Sequence, residues 1–286
     1  MQNRKIFIII HKRHIFAYTI LLLSAALLIF QYFINTPRLS KDAIHPKNSD
    51  YSLPSASNAK QPKLAIIIDD FGLNRKGVRE MMAINRHMTF AVMPYLKYSK
   101  QDAAAAHGKG YEVILHLPMQ SQKVDNPVWL GPNPVKTGMK ETEIQRIVSD
   151  SLASIPYSVG VNIHMGALSS ENARVVSSVM HTVKSKGLYF VDSVTSSKTV
   201  CKTVARDVGV RFIARDIFLE GPDEKTKPYI KQQLEKAGDM ALKYGYAVVT
   251  GHVGSAGGVE TANAIKEMIP VLESKGIRFV FISELI

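Results

Sequence analysis

The chain has 286 residues, 46% of them hydrophobic, which is enough to bury the core of one large domain or two small ones. Its single cysteine, Cys201, excludes an internal disulfide framework and any zinc site built from several cysteines. The net charge of +12 suits a surface near anionic lipid or an anionic polymer. The basic residues are scattered along predicted helices rather than clustered with aromatic residues, which argues against a nucleic-acid partner.

An uncharged apolar run of twenty residues at 15–34 follows a basic segment at 1–14. A helix of this length spans a hydrocarbon core of roughly 30 Å, so the run predicts a transmembrane anchor. A cleaved signal peptide is the alternative, but its apolar region is usually shorter, about 7–15 residues. The basic residues before the run predict a cytoplasmic N-terminus in the inner membrane, with the remainder of this single-pass protein in the periplasm or otherwise extracytoplasmic.

Residues 35–62 are rich in proline, serine and asparagine, lack hydrophobic periodicity, and predict a flexible linker. From residue 63 to 286 short apolar runs alternate with amphipathic stretches, which predicts one α/β domain with a parallel sheet. Seven or eight such units fit an irregular TIM-like β/α barrel, and an open doubly wound sheet is the alternative. The predicted strands are 64–68, 88–93, 111–115, 159–163, 188–191, 210–214, 246–250 and 278–282.

Polar residues follow these predicted strands, where barrels and open sheets of this class gather their functional groups. Each residue alone also fits a helix cap or a hydrogen-bonded core position. Taken together, two histidines and a carboxylate at one rim match a catalytic zinc site with three protein ligands. The residues are Asp69, Asp70, His116, His164, Asp192, Arg215, Asp216 and His252.

A metal at this rim would lower the pKa of a water molecule toward neutrality, so that the water can attack a carbonyl group. One aspartate of the Asp69-Asp70 pair can bind the metal while the other accepts a proton from the water. A histidine across the rim can protonate the departing amine. The strand-end pattern alone leaves open which histidine binds metal and which transfers protons.

Six segments in this order resemble the divergent polysaccharide deacetylases, a branch of the glycoside hydrolase/deacetylase superfamily with an irregular β/α barrel. The segments are IIIDDFG (66–72), HLPMQ (116–120), GVNIHMGAL (160–168), FVDSVTS (190–196), ARDIFLEG (214–221) and TGH (250–252). The resemblance implies that Asp70, His116 and His164 bind a divalent metal, most plausibly zinc. It further implies that Asp69 is the general base and His252 the general acid.

The resemblance also implies a substrate-binding or supporting role for Asp192 and Arg215. Asn162 and Asp216 are candidates for the same role. The chain departs from the family pattern at Ile163 and Gln120, where a polar and an acidic residue are usual. The glycine-rich segment after His252 departs as well. Trp129 lies in a long loop at 118–140, where it can stack on a sugar ring or close the mouth of the barrel.

Two functions of different classes follow from these features. The first is a metal-dependent hydrolase that removes N-acetyl or O-acetyl groups from a cell-envelope glycan such as peptidoglycan. The second is a non-catalytic glycan-binding or envelope-assembly factor on the same fold. The complete set of strand-end residues favours the enzyme, because binding alone would not require it.

Overall fold

The computed structural model describes residues 61–122 and 126–286. The predicted basic segment, the predicted anchor and nearly all of the predicted linker lie outside these residues. Within the described part, every helix is too short or too polar to cross a bilayer.

One parallel sheet forms the centre of the domain. All eight predicted strands are present, and the described residues add a ninth strand of only two residues, β7. The strands are β1 (Lys63–Phe71), β2 (Thr89–Val92), β3 (Glu112–Met119), β4 (Ser158–Met165), β5 (Tyr189–Asp192), β6 (Phe212–Ala214), β7 (Ile217–Phe218), β8 (Tyr246–His252) and β9 (Arg278–Val280).

The hydrogen-bonded order of the strands is β6-β5-β4-β3-β2-β1-β8-β7, with β9 paired to the first residues of β1. This order follows the chain without the reversal that defines a doubly wound sheet, so that alternative is wrong. The two ends of the order, β6 and β7, are joined by only Arg215 and Asp216. The sheet therefore curves back on itself as a partial barrel, although β6 and β7 form no described pairing.

Helices follow most of the strands and cover the outer face of the sheet. They are α1 (Val78–Met81), α2 (Ser99–Gly108), α3 (Pro127–Leu130), α4 (Glu141–Ser154), α5 (Ala173–Ser185), α6 (Cys201–Val208), α7 (Lys227–Tyr244) and α8 (Val259–Ser274). In α5, Val175, Val176, Val179, Met180 and Val183 recur at helical spacing and form one buried apolar stripe. That helix begins after Asn172, whose side chain accepts a hydrogen bond from the backbone N–H of Val175.

Both faces of the sheet are buried, as the nearly continuous apolar runs predict. In β1, Ile66 and Ile68 belong to the large core shared with the helices, whereas Ala65 and Ile67 belong to a second cluster. Every fully buried member of the second cluster comes from a strand or from the C-terminal segment, so this cluster fills the inner face of the curved sheet. All strands point the same way, and their carboxyl ends meet at one rim.

Candidate metal and acid–base site

The register of the sheet brings the predicted site residues to this rim. Asp69 in β1 lies opposite His252 in β8, and His116 in β3 lies opposite Asn162 in β4. His164 follows two residues later in β4. Residues up to 183 positions apart in the sequence, from Asp69 to His252, are therefore neighbours because parallel pairing aligns the ends of their strands.

The two adjacent aspartates have different surroundings. Asp69 is buried, whereas Asp70 is partly buried and has a φ of 68°, in the left-handed region that aspartate tolerates better than most residues. This backbone turn departs from regular β geometry, in which successive side chains point to opposite faces. Both carboxylates can therefore line the same cavity.

Three side-chain atoms form a nearly equilateral triangle at the rim. His164 Nδ1 lies 3.0 Å from His116 Nε2 and 3.2 Å from Asp70 Oδ1, and the remaining side, from His116 Nε2 to Asp70 Oδ1, is 3.4 Å. Ligands of a tetrahedral zinc ion are about 3.3 Å apart when the bonds are about 2.0–2.1 Å long. Two imidazole nitrogens and one carboxylate oxygen at these separations can share one divalent cation.

The second nitrogen of each histidine ring is held by an oxygen acceptor. His116 Nδ1 lies 2.8 Å from Asn162 Oδ1, and His164 Nε2 lies 2.8 Å from the carbonyl oxygen of Trp129. A ring nitrogen facing such an acceptor carries the proton, so the nitrogen facing the triangle keeps its lone pair. This arrangement is typical of metal-binding histidines, whose outer hydrogen bond fixes both tautomer and orientation.

The electrostatics of the triangle also favour a cation. Burial raises the pKa of Asp70, but its contacts with His116 and His164 outweigh burial and hold that pKa well below its usual range. Burial lowers the pKa of His116, and the negative charges of Asp69 and Asp70 raise it above its usual value. Asp70 Oδ1 is buried and accepts no well-aligned hydrogen bond from any described residue. The residues present therefore fit a bound metal ion.

Asp69 is placed beside the triangle as a proton acceptor. One oxygen of its carboxylate accepts a hydrogen bond of 2.7 Å from Asn162 Nδ2, and the same oxygen lies 3.7 Å from His116 Nδ1. Burial raises the pKa of Asp69 above its usual value. A carboxylate with a raised pKa is a better general base near neutral pH than an ordinary aspartate.

His252, on the far side of Asp69, is paired with a residue that the sequence analysis missed. Glu220 Oε2 lies 2.8 Å from His252 Nδ1, and Glu220 Oε1 accepts hydrogen bonds from the backbone N–H of His252 and from the Thr261 hydroxyl. Burial alone would lower the pKa of His252, but the hydrogen bond and charge of Glu220 raise it to about 9. His252 is therefore protonated at neutral pH, as a general acid must be.

Three other predicted site residues bond mainly to the backbone around the rim. Asp192 accepts hydrogen bonds from the Val194 N–H and the Thr199 hydroxyl. Arg215 donates to the carbonyl oxygens of Ser193 and Val194. Asp216 accepts from the Val248 N–H. None of the three lines the cavity described below, so their visible contribution is to hold the rim loops.

A cavity of about 700 Å³ opens above the triangle. Trp129 lies at its mouth with 58% of its surface exposed, and the Trp129 carbonyl contacts His164 below. Asp69, Asp70, His116, His164 and His252 all line this one cavity.

Comparisons with known proteins agree with this description. A family model described as divergent polysaccharide deacetylase matches residues 66–286. The protein YibQ of Escherichia coli (strain K12) is 33% identical over 207 residues, which are 72% of this chain and 62% of YibQ. A protein of Haemophilus influenzae (strain ATCC 51907 / DSM 11121 / KW20 / Rd) is 29% identical over 192 residues, 67% of each chain.

Among solved structures, the crystal structure of ATU2773 from Agrobacterium tumefaciens C58 is similar, with a TM-score of 0.71. The sequences are 21% identical, and the match covers 80% of this chain and 91% of the other. At this identity the likeness shows the shared fold alone.

Proposed function

Because the chain belongs to the divergent polysaccharide deacetylase family, we propose that it is a metal-dependent hydrolase that removes acyl groups such as acetyl from a cell-envelope glycan. The observation that carries this proposal is the triangle formed by Asp70 Oδ1, His116 Nε2 and His164 Nδ1, with sides of 3.0–3.4 Å. A general base and a protonated histidine beside the triangle complete the groups that such a hydrolysis needs.

Asp70, His116 and His164 would hold the metal, for which zinc is the proposed identity because two imidazoles and a carboxylate are a common zinc ligand set. When bound, a divalent cation supplies Lewis-acid activation of water and of the carbonyl group. Asn162 and the Trp129 carbonyl keep the two imidazoles in the ligating tautomer.

The hydrolysis itself follows from the positions of Asp69 and His252. Asp69 accepts a proton as the oxygen of a water molecule bonds to the acyl carbon. His252 donates its proton to the nitrogen or oxygen of the sugar as the bond between that atom and the acyl carbon breaks. Asn162 Nδ2 and Glu220 orient the base and the acid, respectively. The products are a carboxylic acid and the deacylated sugar.

Metal analysis combined with acetate release tests the proposal on the full-length chain purified in detergent. We expect about one divalent ion per chain and acetate release from N-acetylated or O-acetylated glycans. Asp69→Asn should retain the metal and lose acetate release, whereas His116→Ala should lose both. A metal-free chain, or a metal-loaded chain inert toward every acylated glycan, would favour a non-catalytic glycan-binding factor instead.

We further propose that residues 15–34 anchor the protein in the inner membrane and that the hydrolase domain faces the periplasm. The apolar length of this run and the basic residues before it support this topology. Protease added to cells with a permeabilised outer membrane should digest the domain. The same protease should spare it in intact cells. Domain protection in both preparations would contradict this topology.

A further inference from the structure

The cavity above the triangle has a mixed polar and apolar lining near His252 and a wholly apolar stretch of lining elsewhere. Asn74, Lys225 and Ser255, from the loops after β1, β7 and β8, contribute polar side chains. Phe218 also lines this side, and its ring stacks on His252 with centroids 5.7 Å apart. The loops after β1, β2 and β3 add a group of residues that we name the apolar sector: Leu73, Met93, Leu96, Val128, Trp129 and Gly131. No residue of the apolar sector carries an ionisable side chain.

The apolar sector owes its position to β2. In the sheet, β2 lies between β1 and β3, two strands that carry predicted metal ligands. The residues that follow β2 at the rim include Met93 and Leu96, which are apolar. The neighbouring strands β1 and β3 carry a carboxylate and an imidazole at the same rim. Above it lies Gly131, where an added Cβ would meet the methyl group of Met93 at 2.5 Å. The loop after β3 therefore closes onto the β2 end without a gap.

Three apolar side chains at the mouth of the cavity are exposed, which also indicates a site for an apolar group. Leu73, Val128 and Trp129 are 51%, 72% and 58% exposed, and all three line this one cavity. Single exposed apolar side chains are ordinary, but a group at the entrance of a pocket is typical of a binding site for an apolar ligand.

The acid–base geometry assigns the two sides of the cavity to the two parts of a substrate. His252 protonates the leaving atom, so the sugar must lie on the side of His252, Asn74 and Lys225. β8, which carries His252, and β2, which leads into the apolar sector, pair with opposite edges of β1. The acyl carbon between them would therefore direct its chain toward Met93 and Leu96.

We propose that this site takes sugars bearing an acyl chain longer than acetyl, with the chain in the apolar sector. This inference rests on the proposed hydrolase function and specifies its substrate class. An acetyl group ends after one methyl and would leave most of the apolar sector in contact with water. Each methylene moved from water onto such a surface tightens binding by up to roughly fourfold.

A series of N-acyl-D-glucosamines with acyl chains of two, four, six and eight carbons tests the inference on the metal-loaded full-length chain. We expect kcat/KM to rise along the series, by roughly fiftyfold or more from acetyl to octanoyl at about twofold per methylene. Leu96→Asn, which removes hydrocarbon while keeping a similar shape, should reduce the octanoyl-to-acetyl ratio at least roughly fivefold. The control Leu242→Asn, at an exposed position in α7 outside the cavity, should leave the ratio unchanged.

Failure of the inference and failure of the proposed function give different results. If acetylglucosamine is hydrolysed but kcat/KM stays level or falls as the acyl chain lengthens, the inference is wrong and the hydrolase proposal stands. If no member of the series is hydrolysed, the hydrolase proposal fails and calorimetric binding of the same compounds decides the inference. If octanoylglucosamine binds at least roughly tenfold tighter than acetylglucosamine, the inference that the apolar sector holds the acyl chain is supported. Equal binding of the two compounds would overturn it.

Discussion

Asn162 joins the proposed base to a proposed metal ligand through the two ends of one amide. Its Nδ2 donates to Asp69 and its Oδ1 faces His116 Nδ1, at 2.7 and 2.8 Å. No other described side chain makes hydrogen bonds to both residues. A single substitution at Asn162 should therefore disturb metal binding without removing a ligand.

We predict that Asn162→Leu lowers zinc affinity by roughly 10–100-fold, because His116 loses the acceptor that fixes its tautomer. Competition calorimetry with a chelator measures this change. The control is Asn172→Ala, which removes the cap of α5 and costs about 1 kcal/mol of stability. The Asn172 side chain bonds to the Val175 N–H and to no residue of the triangle. Unchanged zinc affinity in Asn162→Leu would show that the amide does not orient His116.

Glu220 should determine the alkaline limit of activity. A general acid works only while protonated, so activity falls as pH rises through the pKa of His252, which is about 9 beside Glu220. Glu220→Gln removes the negative charge that stabilises the imidazolium, and the pKa of His252 then falls. We expect the alkaline limb of the kcat profile to move to lower pH.

The matched control for that experiment is Glu224→Gln, an exposed glutamate in the same loop whose carboxylate contacts only Thr226. Its pH profile should coincide with that of the unaltered chain. If the alkaline limb of the kcat profile does not move in Glu220→Gln, His252 is not the general acid.

At the level of elements, the loops after β1 and β8 pack together through glycine. A Cβ on Gly77 would lie 2.3 Å from the carbonyl carbon of Gly258, and the backbone N–H of Gly254 donates to the carbonyl oxygen of Lys76. These loops follow Asp70 and His252, so their close approach holds the two rim segments together just beyond the paired strands. Side chains at either glycine would force the loops apart.

We predict that Gly77→Ala reduces both stability and activity more than Gly110→Ala does. The two glycines have nearly the same φ, 81° and 83°, so alanine meets the same backbone strain of about 1–2 kcal/mol at each. Only Gly77 adds a clash with backbone, because nothing lies within 4 Å of a Cβ at Gly110. Thermal unfolding and kcat measured on both variants test this difference, and equal effects would contradict it.

Hydrophobic patterning predicts most of the elements because their apolar runs are long enough to show a period. The stripe of α5 and the eight strands of four or more predicted residues belong to this class. The strand β7 has two residues, too few for any pattern, and Glu220 follows it. The acidic partner of His252 was therefore missed, although Glu220 lies inside a segment quoted for the family resemblance.

The polar residues of the rim were predicted from the sequence because each follows a recognisable strand. The choice of Asp70, His116 and His164 among them as metal ligands came from the family resemblance. The hydrogen bond from His164 to the Trp129 carbonyl was beyond such reasoning, since a main-chain oxygen has no residue type to signal it. Similarly, Asp192 ends β5 and Asp216 lies two residues beyond β6. Their hydrogen bonds to backbone N–H groups depend on loop shapes that side-chain identity does not reveal.

For the molecule as a whole, the proposed metal would link three strands of the sheet. Its ligands come from β1, β3 and β4, and β2 is held between the first two. An ion that binds the folded chain but not the unfolded chain stabilises the folded state by mass action. Metal binding should therefore be detectable in the stability of the protein, independently of any catalytic activity.

We predict that zinc at about 1,000 times its dissociation constant raises the free energy of unfolding by about 4 kcal/mol. For a domain of this size the midpoint of thermal unfolding should rise by roughly 8–16 °C relative to the chelator-treated protein. His116→Ala should abolish this difference, because it removes one of the three ligands. The control His107→Ala should retain it. His107 is exposed in the last turn of α2, before the amino end of β3 and so opposite the rim, where its ring stacks on that of Tyr157 with centroids 4.0 Å apart. Equal midpoints with zinc and with chelator in the unaltered protein would exclude a structural link through Asp70, His116 and His164, whatever hydrolysis is observed.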